Sequence, residues 1–129
     1  VAEAWNILVA DRNRHVRDLL RRELATEGYQ VREARDGYEV WMQLTGPDPP
    51  DIIILDLDIP YLEDLAELAH FREGALGVPL IIYSYLGDYT EASLPRGAAL
   101  LEKREDPGRL KEMVAEVLKQ RTPRNHAGD

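Results

Sequence analysis

The sequence predicts an α/β domain built on a five-stranded parallel sheet, and three observations point there. Short apolar runs alternate with longer stretches of helical period along most of the chain. One run, Ile52-Ile53-Ile54-Leu55, is apolar without a break, as a strand buried on both faces should be. Two runs, Ile7 to Ala10 and Ile52 to Leu55, each lead directly into an aspartate, Asp11 and Asp56. With 129 residues and 44% hydrophobic side chains, there is material for one compact core.

The elements follow in order. Strands are expected at 6–10, 28–33, 51–56, 79–84 and 98–102. Val16, Leu19, Leu20 and Leu24 mark a helix over 14–27, ended by Gly28; Tyr38, Trp41 and Leu44 mark a second over 37–45, stopped by Gly46-Pro47. A third is expected over 63–73, with Leu65, Leu68 and Ala69 on one face. Residues 88–95 are too short and Pro-broken for more than a turn or two, so the fourth helix is expected to be shortened. The last helix has the cleanest period, Leu110, Met113, Val114, Val117 and Leu118, behind an N-cap Asp106 and an N1 proline, Pro107. Strands alternating with helices require right-handed crossovers and a sheet covered on both faces. Residues 1–121 are read as the domain and 122–129 as a polar tail or linker.

Composition narrows the function. There are no cysteines, which removes disulfides, thiolate metal sites and cysteine nucleophiles. No stretch approaches a membrane span of roughly 20 apolar residues, and residues 1–5 have no leader-like pattern, so a cytoplasmic location is expected. Net charge is −8, with the acid gathered in the middle third around Asp56. Such a surface repels phosphate backbones, so direct nucleic-acid binding by this domain is not expected. The one basic stretch, Arg12, Arg14, Arg17, Arg21 and Arg22, reads as the solvated face of the first helix.

Four side chains stand at or just past strand ends: Asp11, Asp56, Ser84 and Lys103. In a doubly wound sheet ordered 2-1-3-4-5, as in flavodoxin-like folds, strands one, three, four and five are neighbours, and ligands bind beyond their C-terminal ends. The fold class expected is therefore a flavodoxin-like (βα)5 domain. Its pocket would hold two carboxylates, a hydroxyl and an ammonium.

Across about residues 6–120 the chain resembles the receiver domain of two-component response regulators. The matching stretches are Ile7-Leu8-Val9-Ala10-Asp11, then Asp51-Ile52-Ile53-Ile54-Leu55-Asp56 with Pro60, then Val78-Pro79-Leu80-Ile81-Ile82-Tyr83-Ser84 with Gly87-Asp88, and Gly97-Ala98 leading to Lys103. The resemblance implies that Asp56 accepts a phosphoryl group from a histidine kinase or phosphotransfer protein. It implies that Lys103 pairs with a phosphoryl oxygen and that Ser84 hydrogen-bonds another, coupling the site to an output domain or partner. It also implies Mg²⁺ held by Asp11, Asp56 and the backbone carbonyl of Asp58. A homodimer or kinase contact would use the first helix, or strand five with the last helix.

The chain departs from that pattern at named positions. Arg12 stands where the family has a second acid touching the metal, so Mg²⁺ binding is expected to be weak or absent. Tyr85 replaces the usual small residue after the serine. Leu100 replaces the switch aromatic, and Arg104 replaces a proline. These departures leave open a pseudo-receiver, an interaction module that works without phosphate. Two further readings carry less. Asp56-Leu57-Asp58 resembles the Asp-x-Asp of haloacid-dehalogenase-type phosphatases, but Pro60 sits where that family has a hydroxyl residue. A flavin site would need a glycine-bearing loop after strand one, and Arg12-Asn13-Arg14-His15 has none.

Overall fold

A computed structural model of the chain describes residues 4–62, 77–85, 87, 98–103 and 106–121. Five parallel strands form one sheet: β1 (Asn6–Ala10), β2 (Gln30–Ala34), β3 (Ile52–Leu55), β4 (Leu80–Ser84) and β5 (Ala99–Glu102). Their order is β2-β1-β3-β4-β5, as expected. Three helices are described: α1 (Arg14–Ala25), α2 (Gly37–Thr45) and α3 (Pro107–Leu118). The helix expected at 63–73, the shortened one at 88–95 and the tail at 122–129 lie outside the described residues.

Alternation along each strand divides the core in two. Ile7 and Val9 of β1, Ile52 and Ile54 of β3 and Ile81 of β4 pack with Leu20 and Leu24 of α1 and Leu110, Val114 and Leu118 of α3. Leu8, Ala10, Ile53, Leu55 and Ile82 face the other way, against Val40 and Leu44 of α2. Val9 pairs with Ile54, and Ile54 with Ile81, so the three central strands are in register where burial is deepest. Truncating Ile53 or Ile54 to Ala would cost about 2–5 kcal/mol by cavity formation. Among the described residues, no helix is long and apolar enough to cross a membrane.

Local chemistry sets the helix ends. Asn13 caps α1 by accepting from the amides of His15 and Val16, and Asp106 caps α3 by accepting from Gly108 and Arg109. Asp36 accepts from the Glu39 amide while the Glu39 carboxylate accepts from the Arg35 amide, a reciprocal clamp on the start of α2. Gly37 begins α2 against backbone: a Cβ there would lie 2.3 Å from the Tyr61 carbonyl oxygen.

Four expectations need correction. β2 begins at Gln30 rather than 28, and α1 ends at Ala25 rather than 27. Gly28 takes φ +89° and the Tyr29 amide reaches back to the Leu24 carbonyl, so the helix exit consumes those residues. The buried stripe of α2 is Gly37, Val40 and Leu44, whereas Tyr38 is 53% exposed and packs tilted against Tyr61 with ring centroids 4.9 Å apart. The basic stretch is solvated at Arg12, Arg14, Arg21 and Arg22, but Arg17 is buried.

Candidate functional site

At the C-terminal edge of the sheet, the hydrogen-bond ladder continues one residue past the strands. The amide of Asp11 donates to the Ala34 carbonyl (3.0 Å), that of Asp56 to Ala10 (2.9 Å) and that of Lys103 to Ser84 (3.0 Å). Two acids and a lysine from distant parts of the chain are thereby set on one edge, beside Ser84 at the end of β4. All four expected side chains meet there.

The Lys103 ammonium donates to Asp11 Oδ2 at 2.6 Å and also to Asp56 Oδ2. Ser84 Oγ donates to Asp56 Oδ1 at 3.0 Å and accepts from the Leu57 amide at 3.3 Å. The Asp58 amide donates to Asp56 Oδ1 at 2.8 Å, and the Asn13 amide to Asp11 Oδ1 at 2.8 Å. Asp56 Oδ1 therefore has both lone pairs engaged, while among the described residues Oδ2 accepts from Lys103 alone and keeps one free. Any bond that Asp56 makes to an incoming electrophile is best made through Oδ2.

The two carboxylates titrate in opposite directions. Burial pushes Asp11 up, aided by the Asp56 charge, and the bonds from Lys103 and Asn13 do not fully offset it. Burial also pushes Asp56 up, but Lys103, the Asp58 amide and Ser84 together hold it below its ordinary value. Lys103 is pushed down by burial and raised overall by the two acids. Asp56 is thereby held toward its ionised form, the state a nucleophilic carboxylate needs.

The departures fall around this core. Arg12 is exposed and makes no hydrogen bond or ion pair with any described residue. Tyr85 is 55% exposed, with its ring centroid 5.7 Å from the Lys103 ammonium, a cation–π contact at the mouth of the pocket. Leu100 is partly exposed on β5, and the side chain of Asp58 is exposed. Arg104 lies outside the described residues.

Sequence reasoning missed Arg17. Its guanidinium donates to the Asp11 backbone carbonyl at 2.7 Å and to Glu33 of β2 at 3.0 Å, and Glu33 also receives Arg21. A signal was present: Arg17 precedes Leu20 by three residues and Leu24 by seven, which places it on the buried stripe of α1.

A divalent cation is a poor fit to the donors present. Mg²⁺ requires octahedral oxygen ligands at close range. Each of the four oxygens of Asp11 and Asp56 already accepts a hydrogen bond, and two of them share one ammonium. Among the described residues no group of three metal-ligating side chains is assembled.

Comparison with known proteins agrees with the geometry. The response regulator receiver domain family matches residues 7–115. Response regulator MprA of Mycolicibacterium vanbaalenii is 32% identical over 126 residues, covering 95% of this chain and 54% of that protein. The MprA of Mycobacterium ulcerans is 31% identical over 111 residues, 86% of this chain and 47% of that protein. The chain thus spans about half the length of these curated relatives. Among solved structures, the receiver domain of Francisella response regulator 1452 superposes with a TM-score of 0.74 at 28% identity, covering 89% of this chain and 97% of that one. TrrA of Thermotoga maritima, solved in complex with Mg²⁺ and BeF, gives 0.72 at 28% identity, covering 88% and 99%.

Proposed function

The chain belongs to the response regulator receiver domain family, and from that premise we propose that it accepts a phosphoryl group on Asp56. The observation that carries this is the shared contact of Lys103 with Asp11 and Asp56, with Ser84 on the remaining oxygen of the acceptor. Asp56 Oδ2 attacks phosphorus, and the donor's P–N or P–O bond breaks with its electron pair leaving on the donor atom. Asp56 enters ionised, so no proton has to be removed from it. Lys103 then follows the negative charge from the carboxylate to a phosphoryl oxygen as a point charge, and Ser84 turns its hydroxyl to another. Phosphoryl transfer asks little more of a protein than this positioning and neutralisation.

The donor in this reading is a phosphohistidine on a kinase or phosphotransfer protein. The consequence is an altered contact with an output domain or a partner protein, for which β5 and α3 are the adjoining surface. The test is direct. Incubation with a small-molecule acyl phosphate and Mg²⁺, followed by intact mass, should yield one phosphoryl adduct on the wild type and none on Asp56→Asn. An unmodified wild type, or an adduct that survives Asp56→Asn, would overturn the assignment.

A further inference from the structure

Receiver domains generally bind Mg²⁺ at the phosphorylation site, and the donor set of this one does not suit that ion. We propose that this pocket handles the phosphoryl group without a divalent cation. Lys103 stands between Asp11 and Asp56, and Arg12, the exposed residue after Asp11, supplies the second positive charge. The inference rests on the phosphoacceptor reading of Asp56, whose failure the experiment below separates from its own.

Lys103 already fills the position between the acids. Its ammonium bonds one oxygen of each carboxylate, and it is nearly as buried as they are. The other two oxygens are held by backbone amides and by Ser84. A cation entering here would meet the charge of Lys103 head on and would have to share carboxylate oxygens that already accept hydrogen bonds. The position that would ordinarily add a third carboxylate carries a guanidinium instead.

Arg12 suits the opposite task. It is the peptide neighbour of Asp11, so its backbone is fixed at the same strand tip, yet its side chain is exposed and bound to no described residue. Recruiting it breaks no ion pair with a described residue. A phosphoryl group on Asp56 brings roughly two negative charges. Lys103 meets one, and a planar guanidinium with forked donors matches two phosphoryl oxygens at once. The balance of bonds is unchanged: the Oδ2–P bond forms and the donor bond breaks. Only the source of neutralising charge differs.

Two measurements on the whole chain decide it. The first is titration with Mg²⁺ alone, followed by backbone amide chemical shifts of residues 11–13, 56–58 and 103. Wild type is expected to show no saturable shift, and Arg12→Asp is expected to gain binding at least about tenfold tighter than wild type. The second is adduct formation from an acyl phosphate with EDTA or with Mg²⁺. Wild type is expected to react at the same rate in both. Arg12→Ala is expected to react roughly tenfold more slowly without metal, the loss of one charged hydrogen-bonding partner. Mg²⁺ binding by wild type as tight as by Arg12→Asp, or loss of the wild-type adduct in EDTA, would overturn the inference. If wild type forms no adduct in either condition, the phosphoacceptor reading and the cation role of Arg12 both fall. Because Arg12 is exposed, both variants should fold, which circular dichroism checks.

Discussion

The Lys103 ammonium lies 2.6 Å from Asp11 Oδ2, a contact between residues 92 positions apart in the chain. The same nitrogen reaches Asp56, so one cation closes the tips of β1, β3 and β5 into a single pocket. Removing it leaves two acids facing each other out of water.

Lys103→Met should therefore destabilise the fold by about 3–5 kcal/mol at neutral pH, the usual cost of orphaning buried charge. The penalty should shrink on acidification. Asp11 is held above its ordinary value by burial, so it takes up a proton early and relieves the repulsion. Urea unfolding at neutral pH and through the carboxylate range measures both; a penalty that does not vary with pH contradicts the account.

Arg17→Met keeps the apolar stem on the buried face of α1 but loses the bonds to the Asp11 carbonyl and Glu33. A loss of about 2–3 kcal/mol is expected, seen as a lower urea midpoint with an unchanged slope. Arg17→Lys should recover only part of it, since one ammonium lacks the forked geometry that spans both partners.

Glu33 sets a separate pH dependence. Burial pushes its carboxyl up, but hydrogen bonds from Arg21 and Arg17 outweigh this and hold it below the ordinary 4.5. A depressed folded value means that stability is present above the unfolded value and lost as pH falls through the folded one. The stability gap between wild type and Glu33→Gln should be full above pH 4.5 and close below it. A gap that widens on acidification would reverse the sign assigned here.

Tyr85→Ala should open the pocket without loosening the fold. The ring is mostly in solvent, and its contact with Lys103 is worth about 0.5–1 kcal/mol. Adduct formation with a small acyl phosphate should speed up several-fold while the urea midpoint moves by less than about 1 kcal/mol equivalent. Equal rates in the two proteins would show that the ring does not obstruct the site.

Strand order and the meeting of Asp11, Asp56, Ser84 and Lys103 were legible because each rests on a repeating constraint. A parallel sheet buries whole apolar runs, so polar residues that end those runs mark the same edge. What was not legible depended on individual side chains choosing among partners. The run of arginines looked like a solvated face, and four of them are exposed, but Arg17 turns inward because Glu33 and a strand-tip carbonyl wait there. Tyr38 looked like packing by its spacing to Trp41 and Leu44. The backbone crossing at Gly37 draws that position to the buried side, leaving Tyr38 outside, tilted against Tyr61. Likewise the direction of Arg12, inward or into solvent, turns on a rotamer that no periodicity encodes.

The crossing at Gly37 has a mechanical consequence for the pocket. The Gly37 amide donates to the Pro60 carbonyl at 2.8 Å, and there is no room for even one methyl group between α2 and the segment that leaves Asp56. Tyr61 holds φ +62° in that segment, a twist that a non-glycine residue keeps only when its neighbours enforce it. Helix α2 thus acts as the anvil on which the segment after Asp56 is bent. Any displacement of Asp56 and Asp58 would be felt as a changed tilt of the exposed Tyr38–Tyr61 pair.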